Sequence, residues 1–208
     1  MIDKVKQAIL TGKLKKIEGI VQEALDDGNA PIDVLNTMVG TMDEVGEKFQ
    51  RNEIFVPEML VAALTMKKGV TVLKPLLADA DATSYGKFII GTVEGDLHDI
   101  GKNLVALMVE SAGFEVIDLG VDVPASKFVD AIRENPDCKI VGLSALLTTT
   151  MQAMKNTVAA IEDSGLHSQV KIMVGGAPIT PEFASEIGAD AYTPDAGSAA
   201  SKAKELVG

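Results

Sequence analysis

The sequence predicts an all-helical segment followed by an α/β domain with a parallel, doubly wound sheet, and three observations carry that prediction. Up to about Leu77 every apolar-periodic segment has helical spacing. From Lys87 onward, apolar runs of strand length alternate with helical stretches of about ten to fifteen residues. Between the two lies Ala78-Asp79-Ala80-Asp81-Ala82-Thr83-Ser84-Tyr85-Gly86, small, polar and without period, which reads as a connecting segment. The division expected is therefore residues 1–78, a linker over 79–86, and residues 87–208.

In the first segment four helices are expected. The first runs from Met1 to Leu10 and breaks at Thr11-Gly12, and the second runs from Leu14 to Leu25 and ends at Asp27-Gly28, where glycine supplies a left-handed cap. Pro31 preorganises the first turn of the third, which extends to Phe49. The fourth opens at Pro57 and continues through Met59, Leu60, Ala63 and Met66 to about Lys74. Four such segments with short breakers make a four-helix bundle. Phe55, just ahead of Pro57, suits a hydrophobic staple, and the nine methionines fall mostly at core positions.

In the second segment strands are expected at Lys87–Thr92, Phe114–Asp118, Ile140–Ser144, Lys171–Gly175 and, weakly, Ala191–Tyr192. Helices are expected over 99–112, 125–135, 149–164, 181–187 and 197–207. Continuous apolar strands alternating with helices are buried on both faces, which is the signature of a parallel sheet. Five of them suit a flavodoxin-like, Rossmann-type order, with ligands bound outside the strand carboxyl ends at the topological switch point.

Composition narrows the function classes. The 208 residues carry a net charge of −11, of which residues 81–208, with nine Lys/Arg against eighteen Asp/Glu, supply the larger share. That sign repels nucleic acid and anionic membranes, and with no Trp there is little to stack on bases. No apolar run approaches the length of a membrane span, and the opening residues lack the pattern of a secretory signal, so a cytoplasmic protein is expected. Cys138 alone forms no intramolecular disulfide and reads as a packing residue.

Chemistry concentrates in Gly91-Thr92-Val93-Glu94-Gly95-Asp96-Leu97-His98-Asp99-Ile100-Gly101-Lys102-Asn103, where a strand ends, a loop turns and a helix begins. A carboxylate at Asp96 can fix one ring nitrogen of His98 and leave the other for a metal. One imidazole makes a metal site only where the ion arrives already held, as in a macrocycle; otherwise His98 is a loop residue at a helix start. The loops after the third and fourth strands add Ser144, Leu146, Thr148, Thr149 and Thr150, then Gly175-Gly176. Hydroxyls there can serve a polar ligand or cap a helix, and paired glycines admit a bulky group or make a tight turn.

Asp96-x-His98-x-x-Gly101, Ser144-x-Leu146 and Gly175-Gly176 together resemble the three-part signature of cobalamin-binding domains of the methionine synthase type. Over nearly the whole chain the likeness is to the corrinoid proteins of methyltransferase systems. The resemblance implies that His98 is the lower ligand of cobalt in cobalamin or a related corrinoid. It implies that the loop Gly95, Asp96, Leu97, His98, Asp99, Ile100, Gly101 and the signature residue Leu146 bind the cofactor, and that Ser144 and Thr148 contact the detached nucleotide tail. Thr150 would extend the Asp96–His98 chain, in a place where methionine synthases usually carry serine. Gly175 and Gly176 would line the tail's slot, Ala196 would add a further contact, and Phe55 would cover the reactive face of the corrin.

The function so implied is methyl carriage. Cobalt(I) takes a methyl group from a substrate-specific methyltransferase, and methylcobalt(III) gives it to a thiol or tetrahydrofolate on a second methyltransferase, with a corrinoid reductive activase as a further partner. The residues supply no separate nucleophile or acid–base pair, so the chain reads as a carrier subunit rather than an enzyme by itself. Two other readings share the histidine signature: the cobalamin-binding subunit of an adenosylcobalamin-dependent mutase, and a corrinoid-dependent sensor. A flavodoxin-like module without any corrinoid is the third alternative.

Overall fold

The computed structural model describes residues 1–77 and 85–208. The connecting segment expected over 79–86 lies outside the described residues except for Tyr85 and Gly86. The described residues up to 77, with Ser111–Gly113, form one compact unit, and Tyr85–Glu110 with Phe114–Gly208 form a second.

The first unit consists of α1 (Ile2–Leu10), α2 (Ile17–Asp26), α3 (Pro31–Gln50) and α4 (Val56–Leu77). Its core is built from one face of each helix: Val5 and Ile9, Ile17 and Val21, Val34, Met38, Met42 and Val45, then Met59, Ala63, Met66 and Leu73. The helices pack closely at Gly69, where a Cβ would stand 2.6 Å from Met38 Cε and 2.9 Å from Ile17 Cγ1. The second helix begins at Ile17 rather than Leu14, because residues 11–16 are taken up by turns. The fourth runs past Lys74 through Pro75 to Leu77.

Phe55 sits just before α4. The Glu58 carboxylate accepts a hydrogen bond from the Phe55 N–H at 2.7 Å, and the Phe55 carbonyl accepts from the Glu58 and Met59 amides. This is one half of a capping box, the acid three residues in satisfying the backbone donor at the helix start. The Phe55 ring itself is 65% exposed. It is therefore not a buried staple, since a staple packs its side chain against the first helical turns.

The second unit holds β1 (Lys87–Thr92), α5 (Ile100–Ser111), β2 (Glu115–Asp118), α6 (Ala125–Glu134), β3 (Cys138–Ser144), α7 (Met151–Asp163), β4 (Lys171–Gly175), α8 (Pro181–Glu186), β5 (Ala191–Tyr192) and α9 (Ala196–Val207). All neighbouring strands are parallel, in the order β2-β1-β3-β4-β5. The chain reverses direction across the sheet between β1 and β3, which places the switch point at the end of β1. Ile89, Val141, Leu143, Ile172 and Val174 lie in one core cluster with Phe128, Ile132, Met154, Val158 and Ile161 from the helices.

Strand register prepares the site. Thr92 is opposite Ser144, and Ser144 is opposite Gly175, so the last residues of three adjacent strands form a row along the carboxyl edge. The loops that carry Asp96 and His98, Leu146 to Thr150, and Gly176 all leave from that row.

Candidate functional site: a histidine loop at the sheet's carboxyl edge

The loop after β1 is organised around Asp96. Its side chain is wholly buried, and every carboxylate oxygen is used. Oδ1 accepts from the His98 amide at 3.1 Å and lies 2.7 Å from His98 Nδ1. Oδ2 accepts from the Leu146 amide at 2.7 Å, the Leu147 amide at 3.3 Å and the Thr150 hydroxyl at 2.8 Å. Burial by itself pushes the carboxyl's pKa up. The bonds from Leu146, His98 and Thr150 outweigh it and hold the group well below the usual carboxylate range.

An ionised Asp96 is acceptor-only, so it fixes the His98 tautomer. Nδ1 must carry the proton shared with Oδ1, so in the neutral ring the lone pair is on Nε2. The His98 side chain is 50% exposed and Nε2 has no hydrogen-bond partner among the described residues. A nitrogen base is thus presented at the surface with its ring orientation set from behind, the arrangement by which metal-binding imidazoles are held.

The backbone of the loop is braced on both flanks. Thr92, fully buried, donates its hydroxyl to the His98 carbonyl at 2.9 Å. On the β3 side the Val93 amide bonds the Ser144 carbonyl at 3.0 Å. On the β2 side Asp122 Oδ1 accepts from the Gly95 amide at 2.7 Å, and the Asp122 amide bonds the Asp96 carbonyl at 2.9 Å.

Beside His98, along with the exposed Asp99, several apolar side chains are open to solvent. Leu97 is 71% and Ile100 77% exposed, and Leu146 and Leu147 on the neighbouring loop are exposed as well. Gly101, on the first turn of α5, has nothing among the described residues within 4 Å of where a Cβ would stand. Packing within the chain therefore gives no reason for a glycine there, whereas close approach of an external group does. Gly176 has an internal reason: φ is +128°, and a Cβ would stand 1.8 Å from the Ala145 carbonyl oxygen.

Residues 86–202 match the B12 binding domain family, and residues 1–74 match a second family also described as a B12 binding domain. The dimethylamine corrinoid protein of Methanosarcina barkeri is 40% identical over 209 residues, covering 100% of this chain and 97% of that protein. The chain belongs to the corrinoid proteins of methyltransferase systems. A crystal structure of a cobalamin-binding protein from Desulfitobacterium hafniense DCB-2 superposes with a TM-score of 0.84 at 32% identity, covering 100% of this chain and 99% of that one. The methanol:cobalamin methyltransferase complex MtaBC from Methanosarcina barkeri gives a TM-score of 0.85 at 28% identity, covering 99% of this chain and 79% of that chain.

The donor set of this corrinoid protein fits its cofactor. A corrin brings its own four equatorial nitrogens, so one protein nitrogen with a free lone pair suffices, and the apolar side chains beside His98 suit a flat macrocycle. Among the described residues no group of three or more His, Cys, Asp or Glu side chains is placed to hold a metal ion by itself.

The structure brings Gly95, Asp96, Leu97, His98, Asp99, Ile100, Gly101, Ser144, Leu146, Thr148, Thr150, Gly175 and Gly176 to the carboxyl end of one sheet. Ala196 begins α9 beyond β5, where Asp195 caps the helix by accepting from the Ser198 amide at 2.8 Å. Phe55 belongs to the helical unit. Thr150 stands at the N-cap of α7 without a side-chain capping bond, its hydroxyl being turned to Asp96. Thr92, Leu147 and Asp122 have bonds to this loop that the sequence did not announce: those of Leu147 and Asp122 span two loops, that of Thr92 closes the turn of its own loop, and none leaves a periodic trace.

Proposed function

We propose that this corrinoid protein is a methyl carrier in which His98 Nε2 is the lower ligand of the cobalt. The observation that supports this most strongly is an exposed imidazole whose Nε2 has no hydrogen-bond partner among the described residues, its ring locked from behind by the buried Asp96. The cobalt of the bound corrinoid supplies the nucleophile and the site that carries the methyl group.

The chain's own residues set the conditions. Asp96 and Thr150 hold the His98 proton at Nδ1, so that the basicity of Nε2 rises and falls with the state of that hydrogen-bond chain. Leu97, Ile100, Leu146 and Leu147 exclude water from the ligand's flank. Ser144, Thr148, Gly175, Gly176 and Ala196 are assigned to the nucleotide tail, and Phe55 to cover of the reactive face. In domain terms residues 1–78 are assigned as the helical cap, 79–86 as the linker and 87–208 as the cobalamin-binding domain.

The methyl donor is held by a substrate-specific methyltransferase. The acceptor is a thiol or tetrahydrofolate on a second methyltransferase, and a reductive activase restores inactive cofactor. Full-length likeness to dimethylamine and trimethylamine corrinoid proteins, the latter 41% identical over 207 residues, supports methylated amines as the donors to try first, with methanol alongside. The test is to load the purified chain with corrinoid, record absorption spectra of wild type and His98→Ala, and assay methyl transfer with the candidate methyltransferases. Distinct spectra and transfer by wild type are expected; identical spectra would overturn the ligand assignment.

A further inference from the structure

We propose that Asp122 is a positioning residue for His98, holding the ligand loop from its β2 side. This rests on the assignment of His98 as cobalt ligand and adds to it a residue at a distance from the metal. Because the strand order puts β1 between β2 and β3, the loop after β1 has two flanks. The β3 flank grips the Asp96 side chain through Leu146, Leu147 and Thr150. The β2 flank grips the main chain at Gly95 and Asp96, and among the described residues that grip is made by Asp122: carboxylate to the Gly95 N–H, amide to the Asp96 carbonyl.

The backbone at Asp122 is unusual in a way that matches this role. Its φ is +53°, left-handed territory that side chains other than Asn and Asp enter at a cost. In that conformation its amide and carboxylate serve the same turn of chain, which is why two bonds close between Asp122 and the pair Gly95–Asp96. The neighbouring residues extend the seam, with the Val123 amide on the Thr92 carbonyl at 3.0 Å and the Thr92 amide on the Gly120 carbonyl at 3.0 Å. Asp96 is thereby held at both main chain and side chain, and the His98 ring, bonded to Asp96 Oδ1, takes its aim from a fixed point. Without the β2 grip the loop pivots on the β3 bonds and the ring loses its single direction.

Three substitutions separate the parts. Asp122→Asn keeps an acceptor and tolerates positive φ, Asp122→Gly keeps the backbone freedom but removes the acceptor, and Asp122→Ala removes both. Two readouts are taken: amide hydrogen exchange in the corrinoid-free chain, and, in the cobalt(II)-loaded chain, the fraction of electron paramagnetic resonance signal split by an axial imidazole nitrogen.

The Asn variant is expected to match wild type in both. The Gly variant is expected to exchange the Gly95 and His98 amides about tenfold faster, as for loss of one hydrogen bond, with the Leu146 amide unmoved. It is also expected to show a smaller nitrogen-split fraction, and Ala a smaller one still. If Gly leaves the His98 amide as protected as in wild type, or raises its exchange while the nitrogen-split fraction stays at the wild-type value, the proposal is overturned. Absence of nitrogen splitting in wild type itself would remove His98 as ligand, and with it Asp122's role toward the metal; the exchange data would then report only whether Asp122 braces the loop.

Discussion

Asp96 Oδ1 lies 2.7 Å from His98 Nδ1 although only Leu97 separates the two residues, and the same oxygen also takes the His98 amide. A carboxylate that binds both the ring and the backbone of one residue fixes that residue in position and in rotation. The separate grip on Oδ2 by Leu146, Leu147 and Thr150 keeps the carboxylate from following the imidazole if it moves.

Replacing His98 by Ala should leave the fold intact. The side chain is half exposed, so the cost is on the order of 1 kcal/mol, the loss of its hydrogen bond to Asp96. A thermal melt should show a small shift, while the cobalt coordination spectrum changes fully.

Asp96 makes the loop acid-sensitive. Its folded pKa is depressed, so its contribution to stability is complete above the unfolded value of about 3.9 and is lost as pH falls below it, through the folded pKa. Asp96→Asn should flatten the stability profile in that acid range. It should also lower stability at neutral pH by about 1–3 kcal/mol, because an amide offers only one acceptor oxygen to donors on two sides. Denaturant titrations at a series of pH values check both.

Thr150→Val removes the hydroxyl with little change of shape and should cost about 1 kcal/mol, whereas Thr150→Ser should restore most of it. In the corrinoid-loaded chain the Val variant should shift the absorption spectrum away from that of wild type, and the Ser variant should return it.

Gly176→Ala should be among the most damaging single changes. A Cβ 1.8 Å from the Ala145 carbonyl oxygen forces the loops after β3 and β4 apart, at about 3 kcal/mol or more. A fall in melting temperature without corrinoid present would show that the cost is internal to the chain.

His167 gives the opposite pH sign. It pairs with Glu162 through Nδ1 and lies 2.9 Å from Asp190 Oδ2 through Nε2. Partial burial pulls its pKa down, but the bonds to Asp190 and Glu162 outweigh this and raise it. Its stabilisation is therefore complete below the unfolded value of about 6.5 and is lost as pH rises through the folded pKa. His167→Gln should be less stable than wild type at pH 6, and the gap should narrow on the alkaline side.

The second unit was legible because its central strands β1, β3 and β4 carry apolar runs that alternate with helical stretches; five such strands suited the observed order and its switch point. The first unit was legible in the same way, from helical period and breakers. What stayed hidden was local competition. The helix expected from Thr149 starts at Met151 because Thr148–Thr150 form a 3-10 turn, which accompanies the bond from the Thr150 hydroxyl to Asp96. The signature residues Asp96 and His98 could be read from their motif. Thr92 and Asp122 could not, since a threonine ending a strand and an aspartate in a turn are ordinary until the loops meet.

The exposed leucines and isoleucine beside His98 also govern how the chain behaves before it is loaded. Leu97, Ile100, Leu146 and Leu147 form an oily rim open to solvent, and two such rims on separate copies attract each other. A charge of −11 keeps copies apart in dilute buffer, and concentrated salt screens that repulsion. A corrin bound over the rim should cover this sticky surface, so the empty chain should self-associate more readily than the loaded one at high salt.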